Sequence, residues 1–357
     1  MTKHAHSGTR ARRGAAAVLG FAMCALAPAD AGAEESRGAG EWADFLAEAF
    51  GRAAAELSVV RREAPEPVAL SWERRSLGEV TLDGPLLDMR AADLTGDGED
   101  EILALTAQEA VVIEPAAGAA PEVIARFSLT GLDPAPLRPR TPVGTSAVVR
   151  AGERLAWWVR SSEVGRAVAL VWEDGELAAR GRAVGYPVCE GVSLALDRGR
   201  SRFSGATAGL GEIGEPLQGA RCRRDMVDAN GFSLFVYAAV GVSGELEVAS
   251  EARCRAGQGC EDGAANAGDR GYALAIADFA RDGFPDVAAA AHMPPGEPGE
   301  VEVFSLRGDE LVSLFDASFP GPVRALASGR FRGRDAPDLL VAVASPDGDR
   351  VELWTLT

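Results

Sequence analysis

The chain has 357 residues, of which 36 are Lys or Arg and 53 are Asp or Glu, giving a formal net charge of −17 at pH 7. So acidic a surface repels nucleic acid and anionic membrane, because both need Lys and Arg against phosphate, and it favours divalent cations or basic partners. Lys3 is the only lysine, and His292 is the only histidine beyond His4 and His6. That excludes a Schiff-base or phosphate-loop lysine and leaves a Ser/His triad one candidate base.

At the start of the chain, Lys3, Arg10, Arg12 and Arg13 precede an apolar run from Ala15 to Ala27 and the small residues Ala31, Gly32 and Ala33. This order is that of a secretory signal peptide cut after Ala33, so residues 1–33 are expected to be removed and the body to be periplasmic or secreted. The run is about 13 residues, against the roughly 20 that cross a bilayer, and no later segment is longer; no transmembrane span is expected. A lipoprotein would need a Leu-containing triplet before Cys24, where Phe21, Ala22 and Met23 stand. Cleavage leaves 32 basic against 52 acidic residues. Trp42, Phe45, Leu46, Ala49, Phe50, Ala53 and Leu57 follow at helical spacing, which predicts one amphipathic helix within residues 34–67.

From Val68 the pattern changes to short apolar runs broken by Gly, Asp and Pro. Glu101–Thr106, Ala110–Ile113, Leu155–Val159, Ala167–Trp172, Leu234–Val240, Glu245–Val248, Val301–Leu306, Leu339–Ala344 and Arg350–Leu356 have strand length. Asp174-Gly175, Ser243-Gly244 and Pro346-Asp347-Gly348-Asp349 supply hairpin-turn chemistry between runs. A succession of antiparallel strands with almost no helix is a sandwich, a barrel or a propeller. Four cysteines follow the leader, an even number that suits two disulfides in an exported chain. They allow three pairings, of which Cys254–Cys260, closing a short Gly-rich loop, with Cys189–Cys222 is favoured. The absence of any Cys-x-x-Cys weakens the competing zinc reading.

Three segments repeat one design of apolar strand, acidic glycine loop and apolar strand, over 87–106, 272–292 and 323–344. In the first, Asp93, Thr95 and Asp97 occupy loop positions 1, 3 and 5, with Gly98 at 6 and Glu101 at 9. Oxygen-bearing side chains at alternate positions of a tight loop point inward, and calcium takes six to eight such hard ligands, the Glu99 carbonyl among those expected. In the second, Ala280 stands at position 3, leaving Asp278, Asp282 and Asp286 for a weaker calcium site. In the third, Arg330, Arg332 and Arg334 fill positions 1, 3 and 5, so no cation is expected there, and the guanidinium groups are expected to pair with Asp338.

Asp-Leu-x-Gly-Asp-Gly-x-x-(Asp/Glu) between apolar strands resembles the repeat of FG-GAP/VCBS proteins. The second copy, with Gly271-Tyr272, Asp278-Phe279, Asp282-Gly283-Phe284-Pro285-Asp286 and Gly299–Phe304, is similar to the integrin α-subunit form. The resemblance implies an all-β propeller over residues 68–357, each repeat one blade and each calcium loop joining two adjacent strands. The interval from position 330 back to 278 sets a blade length that predicts five blades, with six or seven as alternatives. Degenerate loop centres are expected near Ala151-Gly152-Glu153 and Asp228-Ala229-Asn230-Gly231. Val68–Leu82 is expected to complete the last blade, so that no sheet edge is left free.

The function expected is that of an exported, non-catalytic binding or scaffold propeller, stiffened by calcium, with a protein or glycan ligand and either monomeric or part of an envelope complex. The alternative is a carbohydrate-active or other hydrolytic propeller using paired Asp/Glu, although no pair is marked by spacing. Gly209-Leu210-Gly211-Glu212-Ile213-Gly214 fits a dinucleotide fingerprint only on paper, since no strand and helix flank it. Trp157-Trp158 and Trp172 could offer a stacking surface, but neighbouring residues of a strand face opposite sides, so at least one of the pair belongs in the core.

Overall fold

In the computed structural model the chain is described from residue 66 to 357, apart from residues 116–119, 133–134, 136–142, 152–153, 184, 190–191, 198–199, 206–211, 214–216, 227–232, 242, 254–262, 295–296, 332–336 and 346–349. The expected signal peptide, the helix over Trp42–Leu57 and the Cys254–Cys260 pair lie outside the described residues, as do most of the two degenerate centres and the Pro346–Asp349 turn.

After β1 (Arg74–Thr81) the strands come in groups of four, each a four-stranded antiparallel sheet. Blade one is β2 (Leu86–Ala92), β3 (Glu101–Thr106), β4 (Glu109–Glu114) and β5 (Glu122–Ser128). Blade two is β6 (Gly144–Ala151), β7 (Arg154–Ser161), β8 (Ala167–Glu173) and β9 (Glu176–Ala183). Blade three is β10 (Tyr186–Cys189), β11 (Val192–Asp197), β12 (Arg200–Gly205) and β13 (Glu212–Ile213). Blade four is β14 (Leu217–Met226), β15 (Ser233–Gly241), β16 (Leu246–Arg253) and β17 (Gly263–Ala267). Blade five is β18 (Arg270–Ala277), β19 (Asp286–Ala291), β20 (Gly299–Arg307) and β21 (Glu310–Phe319). Blade six is β22 (Val323–Gly329), β23 (Asp338–Ala344) and β24 (Arg350–Leu356), completed by β1.

The all-β propeller is therefore as expected. The most favoured count of five describes its full blades, and blade three, with a first strand of 4 residues and a last of 2, is a reduced sixth. In that reduced sheet β10 turns into β11 just after Cys189, with no acidic loop to mark a repeat. Gly209–Gly214, the fingerprint set aside above, falls partly on β13.

The innermost strands form a closed series, β2 beside β6, then β10, β14, β18 and β22, which lies beside β2 again. Each sheet is thus covered on both faces, which is why β3 is buried along its whole length, Glu101 and Thr106 included. The core is a set of layers between consecutive blades. Leu103, Val112, Trp157 and Leu170 fill the layer between blades one and two, and Ala275, Val303, Leu326 and Val341 the layer between five and six. Trp157 is wholly buried and Trp158 half-buried, the split expected of neighbours on one strand. Cys189 and Cys222 form the expected disulfide, with Cα atoms 5.4 Å apart, and it ties the short β10 to β14.

Closure comes from β1, which pairs antiparallel with β24 from Arg74↔Leu356 to Thr81↔Arg350. The chain ahead of it is anchored as well. Leu70 N donates to Leu314 O at 2.8 Å, and Glu73 and Thr357 exchange backbone hydrogen bonds. Trp72 packs edge-on to Phe279 at 5.4 Å and against Phe315 at 5.2 Å. Deleting Val68–Leu82 would expose the β24 edge and uncover the layer that holds Val80, which is 5% exposed. The expected outcome in urea unfolding is a loss of several kcal/mol or of the cooperative transition, since a buried strand and its sheet edge go together. A deletion that leaves the midpoint unchanged would show that β1 is dispensable to the ring.

Candidate metal centre

The first repeat loop connects β2 to β3, with Ala92 and Glu101 facing each other across the ladder. Asp93 accepts hydrogen bonds from Gly96 N at 2.7 Å and Gly98 N at 3.1 Å, and Asp97 accepts from Glu99 N at 2.9 Å. These are Asx-type turns in which a short carboxylate caps the amides that follow it. They require left-handed backbone at Gly96 (φ 85°) and Gly98 (φ 97°), and glycine is what those positions hold.

Glu101, 2% exposed, folds back under the loop. Its Oε2 accepts from Leu94 N at 2.7 Å and Thr95 N at 3.1 Å, and its Oε1 from the Thr95 hydroxyl at 2.8 Å. Burial raises its pKa above the ordinary carboxylate value, and the Thr95 and Leu94 hydrogen bonds pull the other way. One carboxylate oxygen from each of Asp93, Asp97 and Glu101 lies within 4.8 Å of the others, and among the described residues no other three carboxylates gather so closely. That spacing suits oxygens sharing one cation at calcium–oxygen distances of about 2.3–2.6 Å. The Thr95 hydroxyl is turned toward Glu101, and Glu99 offers its N–H to Asp97, so each is bonded to a carboxylate of the cluster.

The second loop keeps the same skeleton. Ala277 faces Asp286 across the ladder. Asp278 accepts from Asp282 N and Gly283 N, each at 2.9 Å, Asp282 from Phe284 N at 2.9 Å, and Asp286 from Ala280 N at 2.9 Å. Arg281, where the first loop has Gly96, takes the left-handed conformation at φ 57°. The difference is Arg307 at the end of β20, whose guanidinium bonds Asp282 Oδ2 at 2.5 Å and stands 5.7 Å from the centre of the Phe284 ring. Asp278, Asp282 and Asp286 thus share the loop with a fixed cation from their own blade.

In the third loop Gly329 faces Asp338, so all three loops span the same number of residues and the alignment of the repeats is in register. The arginine pairing expected there is corrected in part. Arg330 N donates to Asp100 Oδ2 at 2.7 Å, Arg330 O accepts from Asp100 N at 3.3 Å, and its guanidinium is 3.9 Å from Asp100 Oδ1. The partner is position 8 of the first loop rather than Asp338, because blade six lies against blade one. A Cβ on Gly329 would sit 2.5 Å from the Ala91 Cβ, so the approach needs glycine. Arg332 and Arg334 lie outside the described residues. Asp338, 3% exposed, occupies the place of Glu101.

Loop position 2, unremarked in the sequence, is also part of the design. Leu94, Phe279 and Phe331, at 7%, 3% and 1% exposure, each enter the layer between their own blade and the next. Their apolar character at the same place in three acidic loops was the available signal.

Beside the first loop lies a groove of about 790 Å³ between blades one, two and six, lined by Asp93, Thr95, Asp100, Arg154, Trp172 and Arg330 among others. Glu173, also on its wall, is held below the usual carboxylate range by its hydrogen bond to Arg180. No protein-family model matches the chain, and no curated protein matches it in sequence.

Burial pushes Asp286 up from 3.8 to about 7, with the Asp282 and Asp278 charges adding to the shift. In the folded chain Asp286 therefore holds a proton that the unfolded chain has lost, and this group makes stability fall as pH rises from about 4 to about 7, with no further change above. In chelator, Asp286→Asn should remove that slope, leaving the variant more stable than the parent at pH 8 by on the order of 4 kcal/mol and close to it near pH 4. Urea unfolding across pH measures this, and parallel profiles for the two proteins would contradict it.

Proposed function

We propose that the chain is an exported, non-catalytic binding propeller of the FG-GAP/VCBS kind, with calcium in its first loop and a protein or glycan ligand seated in the adjoining groove. The observation that carries this reading is the convergence of Asp93, Asp97 and Glu101 within 4.8 Å on a loop whose turns are already set by its own amides. Calcium there would take carboxylate oxygens that the loop hydrogen bonds hold in place, and it would fix the wall of the groove that Asp93 and Thr95 supply. Opposite charges flank the half-buried Trp172 in that groove, a combination that suits a polar partner with one flat face. The second loop, with Arg307 against Asp282, needs no metal under this reading.

The hydrolytic alternative needs a carboxylic acid of raised pKa facing a ligand, and the groove carboxylate Glu173 is shifted the other way. Turnover of a panel of chromogenic glycosides that Glu173→Gln abolishes would favour hydrolysis over binding.

Calcium should raise the melting temperature of the protein, by about 5 °C at a hundredfold excess over its Kd. Asp97→Ala should remove most of that rise while changing little in chelator, since Asp97 is exposed and its other role is one Asx turn. A melting loss equal in calcium and chelator would sink the first loop as a metal site.

A further inference from the structure

Blade six and blade one meet at the seam where the ring closes, and there the first repeat loop is bonded to the third. Asp100, at loop position 8 and 7% exposed, accepts from Arg330 N at 2.7 Å and donates its own N–H to Arg330 O at 3.3 Å. The Arg330 guanidinium stands 3.9 Å from Asp100 Oδ1. Arg330 is fixed on both sides, since a side chain at Gly329 would collide with Ala91, and Phe331, 1% exposed, belongs to the core layer that blades one and six share. The backbone of Arg330 carries most of this contact, because its guanidinium is 57% exposed and an exposed ion pair contributes little.

Of the three loops, only the first has an aspartate at position 8. The second and third have Pro285 and Pro337 there, and a proline has neither an N–H to give nor a side-chain acceptor. A reciprocal clasp of this kind is therefore open to one loop of the three, and it is the loop at the seam.

Asp100 also stands between Glu99, whose carbonyl is an expected ligand, and Glu101, whose carboxylate lies within 4.8 Å of those of Asp93 and Asp97. Fixing Asp100 to blade six thus fixes the stretch of chain that carries positions 7 and 9. We propose that Asp100 is a positioning residue for the metal centre, and that through it calcium in the first loop tightens the seam at which the ring closes. The proposal rests on the reading of that loop as a calcium site and gives the ion a role beyond its own turn. Asp100 holds the loop in the shape that binds calcium, and by linkage bound calcium resists, by the same factor, any opening that breaks the bond to Arg330. Asp100 and Arg330 both lie on the groove wall, so calcium also governs the shape of the groove through them.

The test is calcium titration by calorimetry of the wild type and two variants. Asp100→Ala should weaken calcium binding about tenfold. Asp100→Asn, which loses the charge but keeps an acceptor for Arg330 N, should recover most of that affinity. Amide hydrogen exchange gives a second readout: calcium should slow exchange of the β22 and β24 amides in the wild type by up to about tenfold, and in Asp100→Ala the slowing should stop at the first loop. A wild type that binds no calcium overturns the calcium reading and this proposal with it. If the wild type binds calcium and Asp100→Ala binds it equally, if Asp100→Asn is as weak as Asp100→Ala, or if the slowing in the wild type ends at the first loop, the proposal alone falls.

Discussion

A sheet that is apolar on both faces has no stable existence alone, and this constraint orders the rest of the molecule. Each blade must bury one face against the blade before it and the other against the blade after it, so the series of sheets is satisfied only when its last member meets its first. The β1–β24 ladder makes that meeting possible, because blade six is a full sheet only with the strand that comes from the start of the repeat region. The inner strands then stand around one axis, where Asp88 and Arg221, from blades one and four, reach across to each other. The disulfide from β10 to β14 holds the shortest blade in its place in the ring.

Within the blades, the acidic loops are first of all turn devices. In loops one and two, the carboxylate at position 1 caps amides further along the loop, and the one at position 5 caps the amide two residues on. The carboxylate at position 9 is buried beneath the loop and accepts from its early amides. The apolar residue at position 2 fastens the loop into the next layer of core. A cation in such a loop inherits a geometry it does not have to create. This is why one skeleton can carry a cluster of three close carboxylates in blade one, an arginine contact in blade five and an arginine-rich sequence in blade six.

Much of this was legible in the sequence. The strand runs are local, and the Asp174-Gly175 pair predicts the β8–β9 turn, where the two residues have φ of 53° and 85°. The shared loop length and the return of β1 to the last blade follow from motif spacing and from the strand left over at the front. Other features depend on neighbours distant along the chain, and no local pattern marks them. Arg307 meets Asp282 from the far end of β20, and Arg330 meets Asp100 only because the ring brings blade six beside blade one. Blade three carries no such mark, because its first and last strands are short and its first turn has no acidic loop to read. Arg221 likewise meets Asp88 only because β14 and β2 face the same axis.

Closure by β1 also sets an order of events. Among the described strands β1 is made first and β24 last, so the pairing that completes blade six joins residues separated by almost the entire described chain. Contacts of that sequence separation form late and slowly, since the loop they close costs entropy before any burial repays it. Until then the first-made strand has no partner, and its open edge is the part of the nascent chain most exposed to pairing with another copy of itself. Arg74 and Arg75, which open β1 and are both exposed, together with the bulge at Gly78, make that waiting edge charged and irregular, a poor template for a stray strand during the interval.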